Sequence, residues 1–511
     1  MGTLSGFDRL VFRGTLRRLA YAQGMDYFLA FIRVLLKDFR TYVLKVTARI
    51  KEASLDLARR NHRPYRYLAS SQESKEDLAR KIAAQDQLTE GLICVLSCVE
   101  PCQTFEIHRS RESQRLEIRP HRSKCQHLYH YFLHPQFGFM SARIQTWFPL
   151  TIQVCLNGRE FLSRQMDREG MVYQRKGNHF TFIEDMPRAQ EMMDRQLTTP
   201  WPSVLNDIAG QLNPLQGELF GDFDLSYYWT VHQSEWATDL RFKDPARLAQ
   251  LYPYWVRHGL TTMASPDVMR FLGRKLPLTG NLPPNFAAEV VSNLKTRPEG
   301  LRLKHWVGSN HLKLYDKNGI GIRVETTIND PRDFKVLRPK EGDANGKLAW
   351  RPLRKGVADL HRRAQVSEAA NRRYLEALAQ VQDATPLSHL TEKLCRPATW
   401  KGKPVRALNP YAPADLALLQ AVMRGEFKLK GFRNRDLAGL LFPSGEKLTP
   451  PEQRRRSGVI TRKLRLLRAH GLIKKVPKTH RYHLTLRGSK AITAILAALQ
   501  ADADSLIKLA A

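Results

Sequence analysis

The sequence predicts an α+β protein: a mixed α/β N-terminal region, a central antiparallel-sheet domain, and a C-terminal domain of helices closed by a hairpin. Three observations carry that expectation. The apolar period changes from 3.6 to about 2 near Arg63. Asn318-Gly319 stands between two alternating runs, the strongest short-range hairpin signal. The last hundred residues read helix, helix, basic helix, then two short strands.

From the N-terminus, Phe7 to Phe12 reads as a strand, and Leu29, Ile32, Leu35, Leu36 and Phe39, continued by Val43, Val46 and Ile50, follow the helical period. Five short β-rich segments then follow: Gly91–Val99, Thr104–His108, Arg115–Arg119, Leu128–Leu133 and Arg143–Trp147. Asn157-Gly158 opens a helix carrying Phe161, Leu162 and Met166. Strands are expected at Tyr227–His232, Glu235–Phe242, Leu301–Trp306, His311–Lys317 and Ile320–Thr327. Helices are expected at Pro245–Leu251, Ser265–Gly273 and Val366–Ala384, and a loop at Arg332–Lys355. The expected domains are 1–200, 201–384, a Pro-rich basic linker at 385–413, and 414–511.

Charge narrows the function. The chain has 511 residues, with 82 Lys+Arg against 49 Asp+Glu, a net charge of +33. An excess of that size repels itself unless a polyanion neutralises it, which points to DNA, with RNA as the other candidate. No apolar run approaches the 18 or so residues a membrane span needs, so no membrane role is expected. Six cysteines and no basic-then-apolar leader predict reduced thiols and a cytoplasmic location. Cys94, Cys98, Cys102 and Cys125 lie near several histidines, but their spacing inside an apolar run suits a buried strand better than a zinc site.

The C-terminal domain is the clearest object. Ala414–Arg424 and Arg435–Leu441 are helical, with a basic turn, Lys428 to Arg433, between them. A third helix begins after Pro450-Pro451 and ends at Gly471. A hairpin follows, turning at Pro477–His480. This order, with the run Leu466 to Lys475 and the later Tyr482 to Thr485, resembles winged-helix domains. The resemblance implies a DNA-reading helix with Arg454, Arg455, Arg456, Arg462, Arg465 and Arg468, and a wing with Lys474, Lys475, Lys478 and Arg481. Helical spacing puts Arg455, Arg462 and Arg465 on one face, and Ile460, Leu464 and Leu467 on the core face.

The central run from Gly308 to Lys317, followed by Ile320 to Glu325, resembles plasmid rolling-circle replication initiators of the carboxylate metal type. The resemblance implies a strand tyrosine that attacks a DNA phosphate. Tyr315 would be that nucleophile, with Glu325 and Asp239 holding Mg²⁺ or Mn²⁺. Otherwise Tyr315 reads as an ordinary strand aromatic, and Glu325 as the ion partner of Arg323 or a lysine. Register decides whether the nickase site is possible. An ideal two-residue turn at Asn318-Gly319 would put Tyr315 and Glu325 on opposite faces; a bulge or three-residue loop would bring them to one face. Glu235 and Asp239 share a strand phase and otherwise read as a solvated face, and His305 as a metal or phosphate contact or a satisfied core histidine. The basic-aromatic stretches at Arg63–Tyr67 and Arg351–Arg363 could hold phosphates or stack bases.

The expectation is a nucleic-acid-binding protein of a mobile element or replicon, acting as a metal-dependent tyrosine nickase. The alternative is a non-catalytic protein, either a transcriptional regulator or an RNA-binding protein holding a guide RNA.

Overall fold

In the computed structural model the residues described are 2–69, 73–216, 223, 225–263, 265–273, 290–340, 342–343, 346–379, 387–424, 427, 431–442, 449–476 and 479–500. They form an α+β protein of two compact units, Met1–Tyr252 with Val291–Asn371, and Pro253–Val290 with Arg372–Ala511. No helix among the described residues is long and apolar enough to cross a membrane.

The strands that organise the first unit are β1 (Gly2–Leu16), β2 (Tyr65–Tyr67), β3 (Gly91–Arg109), β4 (Leu116–His134), β5 (Gly138–Gln145), β6 (Ile152–Asn157), β7 (Tyr173–Lys176), β8 (His179–Ile183), β9 (Tyr227–Arg241), β10 (Val290–Arg297), β11 (Gly300–Val307), β12 (Asn310–Lys317) and β13 (Gly321–Ile328). Eleven of them make one sheet in the order β10-β11-β12-β13-β9-β1-β6-β5-β4-β3-β2, and β7 and β8 form a separate hairpin. The boundary expected at residue 200 therefore does not separate two sheets. β1 is central and pairs antiparallel with β6 on one side and β9 on the other.

Several segments expected as separate strands are continuous. The β3 strand joins Gly91–Val99 to Thr104–His108, and β4 joins Arg115–Arg119 to Leu128–Leu133. The polar residues between those segments lie on a paired two-stranded ribbon, where ladder hydrogen bonds sustain the strand without an apolar pattern. In the same way β9 runs through Gln233 and Ser234. The helical period expected from Leu29 to Ile50 is broken into Ala22–Phe31 and Phe39–Arg60. The Arg332–Lys355 stretch contains a small hairpin, Lys335–Arg338 with Ala349–Pro352.

One face of the sheet carries the main core. Val43, Val46 and Ile50 of the helix Phe39–Arg60 and Trp201 and Leu205 of the helix Trp201–Leu212 pack there with Phe7, Phe12 and Trp236. Phe7 meets Trp236 edge-on at 4.9 Å. Against this face the helix Leu360–Leu378 places Asn371, whose side chain bonds Trp236 O, Thr238 Oγ1, Val324 O and Thr326 Oγ1 at 2.7–3.1 Å. One amide thereby ties β9 to β13 from the apolar side.

The opposite face is covered in part by the helices Gly158–Arg168 and Met186–Asp194. Asn157 caps the first of these, its Oδ1 accepting from the Arg159 and Glu160 amides at 2.8 and 3.1 Å. Gly158 is required there by close approach, because a Cβ would stand 1.6 Å from the Phe7 carbonyl oxygen. That approach lays the helix start over β1 and turns Arg159 inward.

Gly158→Ala is expected to lower stability in urea unfolding by about 1–3 kcal/mol, through forced displacement of the helix. Gly210→Ala, where a Cβ meets nothing within 4 Å, should be neutral or stabilise by up to about 1 kcal/mol.

Candidate functional site

The loop between β12 and β13 decides the register. Asn318 and Gly319 have positive φ of 58° and 70°, and Lys317 pairs with Gly321, leaving three residues in the loop. Tyr315 therefore faces Arg323, and Lys313 faces Glu325. Paired residues point to the same side of an antiparallel sheet, so Tyr315 and Glu325 share a face, two positions apart along the ladder. The same phase continues into β9, where Ala237 opposes Glu325 and Asp239 opposes Arg323.

A β-bulge adds a third acid. Between β1 and β9 the register shifts from Phe7–Trp236 to Arg9–Glu235, and Asp8 is the extra residue. Bulges re-aim a side chain, and this one sends Asp8 to the polar face while Phe7 stays in the core. Asp8, Glu235 and Glu325 each offer a carboxylate oxygen, and these oxygens lie within 4.8 Å of one another. Among the described residues this is the one group of three or more His, Cys, Asp or Glu side chains placed to hold a metal ion. Asp8 Oδ1 is buried and accepts no hydrogen bond among the described residues. A cavity of about 160 Å³ reaches the cluster, lined by Asp8, Glu235, Arg9, Arg80, Asn157 and Asn178 among others.

Cations balance these acids. Lys313 Nζ bonds Glu325 Oε1 and stands 3.4 Å from Glu235 Oε1. Burial disfavours its charge, but Glu325 and Glu235 more than offset that and hold it protonated. Burial also works against the Glu325 carboxylate, and Lys313 outweighs it, so Glu325 stays ionised. Glu235 is the exception: burial, reinforced by Glu325, pushes it up to about 7 against the pull of Lys313. Burial and the Glu325 carboxylate push the Tyr315 hydroxyl up to about 12.

Asp239, expected beside Glu325 as a metal ligand, is placed differently. Arg323 Nε bonds its Oδ1 at 2.6 Å, and Arg159 Nη2 and Arg323 Nη2 bond its Oδ2 at 2.8 and 2.9 Å. Both arginines are fully buried. Burial favours the neutral acid at Asp239, but these two guanidinium groups overcome it and hold the carboxylate well below the usual range. Arg323 Nη1 also reaches Asp8 Oδ2, at 3.2 Å. Asp239 is thus the anchor of the neighbouring ion network, and its lone pairs are committed. The Glu235 and Asp239 positions share a face as their spacing requires, but Asp239 is enclosed there and Glu235 opens only onto the cavity. His305 is buried and its Nδ1 lies 2.7 Å from Ser292 Oγ, the satisfied core histidine of the two readings.

Asp8 and Arg159 were not singled out by the sequence; of the partners it offered to Glu325, namely Arg323 or a lysine, the structure places the lysine, Lys313, against that carboxylate. A signal existed for Asp8, which together with Arg9 interrupts an otherwise apolar run from Gly6 to Phe12, and for Lys313 and Arg323, which are charged residues inside strands of otherwise buried character. Nothing in the sequence pairs them across strands. Cys94, Cys98, Cys102 and Cys125 are buried free thiols on β3 and β4.

The second unit holds the other predicted residues. The helices Pro413–Met423, Asn434–Leu441 and Pro450–Ala469 are followed by the hairpin Ile473–Lys475 with Tyr482–Leu484, then by the helix Leu486–Gln500. Thr449 and Glu452 close a capping box on the third helix. Its Ile460, Leu464 and Leu467 are buried, and Arg454, Arg455, Arg462 and Arg465 are exposed within an arc of roughly 100°. Lys474 and Lys475 are exposed on the hairpin. None of these six makes an ion pair among the described residues. The other predicted cations do different work. Arg456 donates to Phe442 O at 3.1 Å, Arg468 stacks over Trp400 at 4.5 Å, and Arg481 is half-buried. Lys478, and residues 428–430 of the basic turn, lie outside the described residues. Part of the expected linker is the small hairpin Ala398–Trp400 with Lys403–Val405, whose Trp400 receives Arg468.

No protein-family model, curated protein or solved structure matches this chain.

The raised Glu235 gives a pH prediction in metal-free buffer. Its folded value, about 7, lies above its ordinary 4.5, so the folded state binds more protons than the unfolded state in that interval. Stability contributed by this group is present at low pH and lost as pH rises from about 4.5 to about 7. Glu235→Gln should flatten that part of the stability–pH curve, read by thermal melts, and melt above wild type at pH 8.

Proposed function

We propose that this chain is a DNA-processing protein of a mobile element or replicon, which nicks DNA with metal assistance through Tyr315. The observation that supports the reading most is the juxtaposition on one sheet face of Tyr315 with Glu325, beside the Asp8–Glu235–Glu325 cluster. Three carboxylates suit a hard divalent cation such as Mg²⁺ or Mn²⁺, and Asp8 Oδ1 has a lone pair to give. A cation held there would polarise a phosphodiester and lower the cost of removing a tyrosine proton. The chain's own groups then have defined parts. Arg9 and Arg80 line the cavity and meet the phosphate charge. Of the three carboxylates, Glu235 is the one that would take the Tyr315 proton, with Asp8 and Glu325 left to hold the cation. The Tyr315 oxygen bonds phosphorus as one deoxyribose oxygen leaves and is protonated from solvent, and the nicked strand remains esterified to the enzyme.

The C-terminal unit is proposed as the part that holds the duplex, as a winged helix does, with Arg454, Arg455, Arg462 and Arg465 in the major groove and Lys474 and Lys475 on flanking phosphates. One observation favours a second reading. Lys313 already neutralises part of the acid cluster, as a purely structural buried network would, and a protein without catalysis would hold RNA or regulate transcription with the same basic surfaces.

Incubation of supercoiled and single-stranded DNA with Mn²⁺ should yield nicked product and a protein–DNA adduct that resists denaturation. Tyr315→Phe should abolish the adduct, and Asp8→Asn or Glu325→Gln should slow nicking by about 10²-fold or more. Nicking unchanged in Tyr315→Phe, or none across a broad substrate panel, overturns the enzymatic reading. RNase-sensitive nucleic acid of defined length copurifying with an inactive protein establishes the second.

A further inference from the structure

We infer that the long β3–β4 ribbon is a second nucleic-acid contact, an arm that enters the major groove of B-form duplex DNA. The inference shares with the proposed function the premise that the partner is DNA, and needs neither Tyr315, nor a metal, nor the C-terminal unit.

The two strands pair continuously from the Leu92–Cys94 bulge to Arg109–Leu116. Phe105 anchors the ribbon in the main core, with Ile107 and Ile118 packed against it. Beyond these residues the tip is ordered by its own bonds. The Ser110 amide donates to Arg115 O at 2.9 Å, the Gln114 amide to Ser110 O at 3.1 Å, and Arg109 Nε to Gln114 O at 3.2 Å. A hairpin tip held this way loses little further entropy on binding.

Its charges are sorted. Glu106 is engaged by Arg119 at 2.6 Å and by His121 at 3.0 Å, and Glu117 accepts from Ser113 Oγ at 2.8 Å. Arg109, Arg111, Arg115, Arg122 and Lys124 are exposed, and none makes an ion pair among the described residues. Glu112 is exposed without an ion pair among the described residues, and the nearest basic group to Glu117 is His108 Nε2 at 3.9 Å. Five cations held on a rigid ribbon, with its other acids engaged, are an unbalanced charge that phosphates complement.

The side-chain chemistry also selects the form of nucleic acid. Single strands are held chiefly by bases stacked on aromatic rings, and from His108 to Lys124 there is no Phe, Tyr or Trp. The arm therefore suits a duplex backbone and groove. A-form RNA has a major groove too deep and narrow for protein elements. The B-DNA major groove, about 12 Å wide, admits a two-stranded ribbon.

The test uses the full chain with Arg109, Arg111, Arg115 and Arg122 all replaced by Ser, and a matched Arg→Lys set. Binding to a 30-base-pair DNA duplex, single-stranded DNA and duplex RNA is measured by anisotropy across salt concentrations. The Ser variant should keep the wild-type melting temperature and lose duplex DNA affinity. Its log–log salt slope should be shallower by about 3–4, at roughly 0.9 per lost phosphate contact. The Lys set should keep the slope. An unchanged DNA slope in the Ser variant overturns the arm, as does an equal loss on all three nucleic acids. If Arg455, Arg462 and Arg465→Ser abolishes DNA binding while the arm variant does not, the arm fails and the proposed function stands. If the wild type binds no nucleic acid at low salt, both fall.

Discussion

The constraint on which the polar half of the first unit depends is the buried network joining Asp239 and Asp8 to Arg323 and Arg159. It links β1, β9, β13 and the helix Gly158–Arg168 in a region where water has little access to Asp239, Arg159 and Arg323. Removing one partner from such a network leaves an uncompensated charge at a cost of about 3–5 kcal/mol, which makes its geometry far less adaptable than that of an apolar contact. The register of three strands is fixed by it: a slip of one residue would carry Arg323 into the apolar core. With register fixed, Tyr315, Lys313 and Glu325 have no choice of face.

Two kinds of ionic arrangement stand side by side on this face, and they differ in how fully they are satisfied. Both Asp239 oxygens are taken by guanidinium donors, the state of a structural anchor. Asp8, Glu235 and Glu325 share fewer donors among more oxygens, and the result is a carboxyl at about 7 next to an ionised one. Carboxyl groups driven apart in proton affinity by their surroundings are a common property of reactive centres, and structural networks produce it too. What separates the cases is access. A cavity reaches Asp8 and Glu235, whereas Asp239 and Arg323 are enclosed.

Local signals in the sequence were sufficient for most elements and for little of the chemistry. Asn157-Gly158 marked a helix start because capping is decided by neighbouring residues. The third C-terminal helix was legible down to its buried Ile460, Leu464 and Leu467, because an amphipathic stripe is a local pattern. The Asn318-Gly319 hairpin was legible as a hairpin, but its loop length was not, and that one residue decides whether Tyr315 and Glu325 meet. Asp8 and Glu235 lie 227 positions apart in sequence, on neighbouring strands whose pairing is set by the packing of the whole sheet. A bulge that turns Asp8 inward leaves no mark in composition. Asp239 was found as an important acid for a reason the structure changes, since its partners Arg159 and Arg323 are also remote in sequence. The polar ribbon of β3 and β4 was broken into pieces by a reading that relied on apolar alternation.

The most direct measurement is a titration of the metal-free protein with Mn²⁺, followed calorimetrically and by electron paramagnetic resonance. The account predicts at least one saturable site that is lost in Asp8→Asn and in Glu325→Gln, and tightened in Lys313→Met, where the competing ammonium is gone. The absence of saturable binding in the wild type, or binding indifferent to all three substitutions, would contradict it and leave the cluster as a buried ion network without a cation to hold.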